Sequence, residues 1–193
     1  MARSLSAGRL LLWLALAAPG VWILWQYATE AISYGQVIHY TGDFSVQLLI
    51  VTLAATPLRL AFPRGALPRA LMAWRRNIGV ACFAYALIHL GVYLIRKAEL
   101  ARIISEGQEI GLLTGWIAMI LLLPLALTSN DASVRAMGRA WKALHRLVYP
   151  AAALALAHWL LTAFDMTVGL IHAGVLVAVE TARLLLTRRR RRV

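Results

Sequence analysis

Three of the five histidines, His89, His145 and His158, lie within or just before the two long apolar runs at 77–95 and 147–164. An ionisable side chain at membrane depth is costly, so each of these histidines is a functional candidate. His89 lies about 18 Å along the run 77–95, and His158 lies about 19.5 Å beyond His145 on an ideal helix. The two imidazoles therefore have the same predicted depth, on helices that run in the same direction. Such a pair can hold one iron from both faces of a porphyrin, which predicts a bis-histidine b-type haem site.

Other interpretations of His89 and His158 stay open at this point. A buried histidine in a membrane helix can form an ordinary hydrogen bond to a neighbouring carbonyl or hydroxyl group. Two histidines at one depth could also relay protons in a small transporter. Tyr85 and Tyr93 lie one turn on either side of His89, and Trp159 follows His158. These aromatic side chains are compatible with a haem pocket, with ordinary packing or with an interfacial belt.

His145 is less determined by its position. On a straight helix it would lie about 220° around the axis from His158. Pro150 is predicted to kink this helix or to loosen its first turn, and so could change that angle. A second haem at the level of His145 would need a partner in the third run, where Arg76 and Asn77 stand and no histidine does. Arg75, Arg76 and Arg146 could hold propionates or a flavin phosphate, or could simply be topogenic charge.

His39 and His172 are expected near the outer membrane surface, before the second run and one turn into the sixth. They could line a quinone pocket, face a partner protein or contact lipid headgroups.

The helices that must position these side chains follow from composition. The 193 residues are 61% hydrophobic and 15% charged, with a mean hydropathy of +0.71, which excludes an ordinary soluble fold. We predict an all-α polytopic bundle, with residues 1–193 as a single membrane domain and no room for a large soluble catalytic domain. The six predicted spans are about 10–27, 41–58, 77–95, 110–127, 147–164 and 168–186.

Charge predicts the orientation of the bundle. Of the 20 Lys and Arg residues, all except Arg96, Lys97 and Arg102 fall at the termini or in the second and fourth connections. Because cytoplasmic segments keep the positive charge, both termini are predicted to be cytoplasmic. The basic run 188–192 is interpreted as a lipid-headgroup anchor rather than as a nucleic-acid site. The single cysteine, Cys82, allows no disulfide within the chain and no Cys-x-x-Cys-His attachment, so any haem would be held non-covalently.

Several segments resemble a known family. Residues 141–149 read Trp-Lys-Ala-Leu-His-Arg-Leu-Val-Tyr and lead into an apolar run that ends Ala-His-Trp at 157–159. Further segments are Thr-Leu-Ala-Ala-Thr-Pro-Leu-Arg at 52–59, Arg-Arg-Asn-Ile-Gly at 75–79 and Pro-Leu-Ala-Leu-Thr-Ser at 124–129. Together they resemble ferric-reductase-like transmembrane proteins and, more narrowly, the MsrQ (YedZ) family, the haem-binding membrane subunits of periplasmic protein-methionine-sulfoxide reductase systems.

This resemblance implies a multi-pass protein of the bacterial inner membrane that binds one or two b-type haems and FMN. It places the family's haem ligands on His89, His145 and His158. Arg76 and Arg146 remain, from their positions in the sequence, the candidates for binding a propionate or the flavin phosphate. It implies electrons from the quinone pool or a cytosolic flavin reductase, delivered to a periplasmic molybdenum-cofactor reductase. The chain would then be an electron-transfer subunit rather than a complete enzyme. A quinone-linked cytochrome b with another periplasmic partner is the alternative.

The chain departs from full ferric reductases in two ways. Those proteins hold four ligands in two stacked pairs and carry a cytosolic flavin and nicotinamide domain, whereas this chain has three matching histidines and ends shortly after the sixth run. The number of haems therefore stays open, and a separate electron donor is expected.

Overall fold

The structure, a computed structural model, describes residues 7–163 and 165–191. These ranges form helices joined by short connections and contain no strand. The helices are α1 (Ala7–Ala28), α2 (Tyr34–Ala61), α3 (Ala66–Lys97), α4 (Leu100–Glu106), α5 (Ile110–Leu127), α6 (Asp131–Met137), α7 (Arg139–Leu144), α8 (Val148–Thr162) and α9 (Thr167–Arg191), with a 3-10 turn at His145–Leu147. The predicted all-α class is confirmed.

Five helices are long and apolar enough to cross a membrane, namely α1, α2, α3, α5 and α9. The chain is therefore a multi-pass membrane protein. Helix α8, the fifth predicted span, has 15 residues and covers only about 22 Å. However, the 3-10 turn and α8 together run antiparallel along α5, since His145 lies beside Thr128 and Thr162 lies beside Gly111. This segment thus has the same depth as the 18 residues of α5, which supports a sixth crossing.

The second and third helices are longer than their apolar runs. Helix α2 has 28 residues and begins at a capping box, in which Ser33 and Gln36 bond each other's backbone N–H groups. Helix α3 has 32 residues and extends through Arg69, Arg75 and Arg76. Hydropathy marks the part of a helix that lies in hydrocarbon, whereas the polar turns at either end continue the helix into the headgroup region. The predicted fifth span also included Phe164, which lies outside the described residues.

Helix α2 lies at the centre of the bundle. It packs along α3 and α9 and also contacts α8, while α5 packs along α8. The largest described core cluster joins Leu49 and Leu53 of α2 to Cys82 of α3 and to Leu156 of α8. Ser45 of α2 adds a buried hydrogen bond, at 3.0 Å, to the Cys82 carbonyl oxygen. This packing fixes α3 and α8 against one shared neighbour, and so fixes the positions of their histidines.

Pro150 lies in the first turn of α8, where its missing N–H group leaves no helical hydrogen bond unmade. The irregularity precedes it, as the 3-10 turn at His145–Leu147. The departure from α-helical geometry thus lies just before Pro150, in a 3-10 turn that is tighter than an α-helical turn, and the first turn of α8 itself is regular.

Both termini are predicted to face the cytoplasm, and reporter fusions test this directly. A reporter enzyme that is active only in the periplasm should be silent after Val193 and active in the connection around Ser105. The reason is the charge difference between the two sides of the bundle. Strong activity after Val193 would reverse the orientation.

Candidate cofactor site

A cavity of about 660 Å³ lies between α2, α3, α5 and α8. Its volume is in the range of about 300–1,000 Å³ that is typical of ligand and cofactor sites. Most of its lining is apolar, and His89 from α3 and His158 from α8 are both part of it. Because Gly35 near the start of α2, Tyr93 near the end of α3 and Thr162 at the end of α8 also line it, the cavity lies toward the predicted periplasmic side.

The imidazole rings of His89 and His158 lie close together. Their centroids are 6.1 Å apart, and their planes are nearly perpendicular, at 89°. Two metal–nitrogen bonds of about 2 Å each, with the distance from each nitrogen to its ring centre, add up to about 6 Å. The spacing of the two rings therefore suits two axial ligands of one metal ion.

Hydrogen bonds define which nitrogen of each ring is free. His89 Nδ1 lies 3.0 Å from the Ile38 carbonyl oxygen, and His158 Nδ1 lies 2.8 Å from the Gly111 carbonyl oxygen. A carbonyl oxygen only accepts, so each Nδ1 must carry the proton and donate it. The lone pair of a neutral ring is then on Nε2. Donation from the second ring nitrogen to a carbonyl is the usual support of a metal-binding histidine.

Among the described residues there is no group of three or more His, Cys, Asp or Glu side chains placed to hold a metal ion. Two histidines alone do not complete the coordination of a metal, and the remaining ligands would have to come from a cofactor. A porphyrin, which supplies four nitrogens in one plane, fits both the pair of histidines and the apolar cavity.

The outer edge of the cavity is more polar. His39 and Asp43 of α2 both line it. Trp159 lies between two histidines, with its ring centroid 6.3 Å from that of His39 and 4.9 Å from that of His172. Asp43 Oδ1 is buried without a hydrogen bond and lies 3.7 Å from His172 Nε2. Both predicted outer histidines thus belong to one aromatic and acidic group at this edge.

The two tyrosines that flank His89 have different surroundings. Tyr93 lines the cavity, and its hydroxyl donates to Glu106 Oε2 at 3.2 Å. Tyr85 points away, stacks on Phe44 with ring centroids 5.3 Å apart and donates to the Leu16 carbonyl oxygen. Because both tyrosines lie one turn from His89, sequence spacing alone did not show that Tyr93 lines the cavity and Tyr85 packs elsewhere.

Glu106 joins α3 to the outer connection. Its Oε1 accepts from Lys97 Nζ at 2.7 Å and from Arg102 Nε at 2.8 Å. The hydrogen bonds from Lys97 and Arg102 lower the pKa of Glu106 from about 4.5 to about 2. The carboxylate therefore stays charged over the physiological range and holds α4 over the outer end of α3.

We expect Glu106→Gln to destabilise the protein near neutral pH. A depressed folded-state pKa contributes stability that is present above about pH 4.5 and is lost as the pH falls toward about 2. The melting temperature of the variant should therefore lie below that of the wild type at pH 7, and the gap should close as the pH falls through this range. Glu109→Gln, at an N-cap without a side-chain hydrogen bond, is the control. Equal melting curves for Glu106→Gln and the wild type at pH 7 would contradict this role.

His145 lies in a second cavity of about 550 Å³, away from the other two histidines. Its ring stacks on Trp141, with centroids 3.8 Å apart. The Thr128 hydroxyl gives its only proton to the Pro124 carbonyl oxygen, so His145 Nε2, 3.0 Å away, must be the donor of their hydrogen bond. No second histidine among the described residues lines this cavity.

The second cavity is strongly basic. Arg76 and Arg146, the predicted cofactor-binding residues, both line it. Arg76 also pairs with Asp131. The other basic side chains in its lining are Arg9, Arg75 and Lys142. This arrangement can accept an anionic group.

Four residues of the histidine site were not predicted from the sequence. Ile38 and Gly111 contribute only backbone carbonyl groups, and Gly42 and Gly115 contribute only space. Glycine in a membrane helix indicates that a neighbouring group can approach the backbone closely. The sequence does not show which group that is.

The fold and the site together define a polytopic helical bundle with a histidine pair in an apolar cavity. The sequence profile of the family described as "Ferric reductase like transmembrane component" matches residues 41–156. That segment includes His89 and His145 and ends two residues before His158.

Two similar proteins indicate which family of ferric-reductase-like proteins the chain resembles. A protein of Xanthomonas axonopodis pv. citri (strain 306), named "Protein-methionine-sulfoxide reductase heme-binding subunit MsrQ", is 34% identical over 173 residues, covering 86% of this chain and 78% of its own. A Brucella ovis (strain ATCC 25840 / 63/290 / NCTC 10512) protein of the same name is 36% identical over 164 residues, covering 80% and 72%. The chain belongs to the MsrQ family of ferric-reductase-like transmembrane proteins. No solved structure matches it.

Proposed function

We propose that the chain binds a b-type haem with His89 and His158 as its axial ligands, and that it carries electrons as a membrane subunit of a protein-methionine-sulfoxide reductase system. The observation that carries this proposal is the pair of imidazoles 6.1 Å apart, each with Nδ1 bonded to a helix carbonyl and Nε2 free. The name of the relatives, a haem-binding subunit, agrees with it. Bound haem would supply an iron that accepts and returns one electron at a time.

The protein's own residues would tune and shield that iron. The carbonyl groups of Ile38 and Gly111 orient the two ligands and make them more basic. The apolar lining keeps water away, and burial of this kind is one of the factors that set a haem potential. The chain is thus an electron carrier, and the reduction of the substrate would take place on its partner.

The proposed partner is a periplasmic molybdenum-cofactor reductase, and the proposed location is the bacterial inner membrane. Reduction of one methionine sulfoxide consumes two electrons and two protons and yields methionine and water, so the subunit must deliver electrons twice for each repaired residue. The proposed donor is the quinone pool or a cytosolic flavin reductase. The position of the cavity near the predicted periplasmic side supports outward delivery.

The basic second cavity is proposed to bind an anionic group of a cofactor. Arg76 and Arg146 would contact the phosphate of FMN or the propionates of a second haem. The Nε2–H group of His145 donates to the Thr128 hydroxyl oxygen, and this hydrogen bond would have to break before Nε2 could bind iron. The structure therefore favours one haem at the histidine pair, with His145 in a separate role or as a ligand in a rearranged site.

A reduced-minus-oxidised absorbance spectrum of the purified protein tests the proposal. We expect the bands of a low-spin b-type haem, with one haem per chain if the histidine pair is the only haem site and two if His145 also binds iron. A protein purified from haem-sufficient cells with no haem bands would contradict the proposal and favour a proton relay through the same histidines.

A further inference from the structure

A glycine lies against each histidine of the pair. On α2, a Cβ atom at Gly42 would lie 3.2 Å from His89 Nδ1 and 3.3 Å from His89 Cε1. On α5, a Cβ atom at Gly115 would lie 2.7 Å from His158 Nδ1 and 2.9 Å from His158 Cε1. The His158 ring therefore occupies space that a Cβ atom at residue 115 would need, and the His89 ring leaves only tight room for a Cβ atom at residue 42.

The two glycines have the same position relative to the accepting carbonyl groups. Gly42 follows Ile38 by four residues, and Gly115 follows Gly111 by four residues. In an α-helix the carbonyl oxygen of residue i accepts the N–H group of residue i+4. Each carbonyl that accepts a histidine Nδ1–H therefore also has a glycine as its helical partner, and the ring must lie directly beside that glycine to reach the oxygen.

From this repeated arrangement we infer that Gly42 and Gly115 are positioning residues for the two haem ligands. Each glycine leaves the space through which one imidazole reaches a carbonyl group of the facing helix. That bond keeps the proton on Nδ1 and directs Nε2 to the iron. This inference rests on the proposed haem function, and it adds a requirement that lies outside the ligands themselves.

The distances predict unequal effects at the two positions. Since Cβ contacts as short as 2.7 Å essentially do not occur, Gly115→Ala must displace the His158 ring or the α5 backbone, and we expect this shift to disrupt the hydrogen bond to the Gly111 carbonyl oxygen. At 3.2 Å, Gly42→Ala requires His89 to shift by only a few tenths of an ångström. At Gly91 in α3 and Gly174 in α9, a Cβ atom would meet nothing within 4 Å, so alanine at these positions is a matched control.

The experiment compares the four Gly→Ala variants as purified, haem-loaded, full-length proteins. The readouts are the fraction of haem that is six-coordinate and low-spin, carbon monoxide binding by the reduced form, and the midpoint potential. We expect Gly115→Ala to lose most of the low-spin fraction and to bind carbon monoxide. Gly42→Ala should stay mainly low-spin, with a raised potential, because a strained Nδ1–H bond makes the imidazole a weaker donor to ferric iron. Gly91→Ala and Gly174→Ala should match the wild type.

A wild-type spectrum and potential for both Gly115→Ala and Gly42→Ala would overturn the inference. If the Gly115→Ala protein does not accumulate in cells, the test rests on Gly42→Ala alone. A midpoint potential of Gly42→Ala equal to that of the wild type would then overturn the inference. Failure of the proposed function has a different signature, because His89→Ala and His158→Ala would then keep the low-spin spectrum. Loss of that spectrum in the histidine variants but not in the glycine variants would reject only the role of the glycines.

Discussion

Replacing His158 with alanine is expected to abolish the six-coordinate low-spin spectrum of the haem-loaded protein, and His89→Ala is expected to do the same. Both rings lie in one cavity with centroids 6.1 Å apart, so under the proposed function each would supply one ligand to the same iron and neither could replace the other. A remaining five-coordinate haem would be high-spin when present and would bind carbon monoxide after reduction. Electron transfer through the subunit should fall by more than the roughly 10–100-fold that follows the loss of a hydrogen-bond partner of a metal ligand, because a ligand itself is lost here.

Two further variants make this test specific. His158→Gly with added imidazole should recover part of the low-spin spectrum, because a free ligand can occupy the space of the missing ring. His172→Ala is the control, since His172 Nδ1 bonds the Val168 carbonyl oxygen of its own helix and the His172 side chain does not line the cavity that holds the histidine pair. A low-spin spectrum that survives in both His89→Ala and His158→Ala would assign the haem to other ligands.

Electrons are expected to leave the protein on one side of the membrane only. The cavity is lined by residues near the end of α3, the end of α8 and the start of α2, the side that the charge distribution predicts to be periplasmic. In vesicles of defined orientation, chemically reduced protein should reduce a purified periplasmic partner when the α4 connection faces outward. With the connection that contains Arg135 facing outward, transfer should be at least roughly ten-fold slower, because the distance to the histidine pair spans most of the hydrocarbon core of about 30 Å.

The charges of the exit side add a salt dependence. Glu99, Glu109 and Asp165 lie on this side together with the Glu106 network. Because charges of both signs are mixed there, steering of a partner should be weak, and high ionic strength should change the rate only modestly. Equal transfer from both faces of the vesicles would show that the assigned orientation or the depth of the haem is wrong.

The pairing of His89 with His158 could be predicted because depth follows from residue counting. A rise of 1.5 Å per residue holds wherever the helix ends lie, so the comparison survived even though α3 begins at Ala66 rather than near Asn77. The all-helical class followed from composition in the same way. The depth of a residue and the fold class each depend on many residues together, so a wrong helix boundary or one misassigned residue changes them little.

Rotation about a helix axis could not be predicted in this way. Tyr85 and Tyr93 are both one turn from His89, yet only Tyr93 lines the cavity. The angle between His145 and His158 depended on a 3-10 turn, which no propensity in the sequence places at three particular residues. The hydrogen bonds to Ile38 and Gly111 use backbone atoms, which every residue possesses, so the sequence carries no direct sign of them. The clearance at Gly42 and Gly115 becomes meaningful only when the facing helix is known.

Anomalous diffraction at the iron absorption edge, from a crystal of the haem-loaded protein, is the most direct test of the central claim. The account predicts an iron peak between His89 and His158, with each Nε2 about 2 Å from the metal and each Nδ1 still bonded to the carbonyl oxygen of Ile38 or Gly111. A single iron peak beside His145, or one beside neither His89 nor His158, would contradict it.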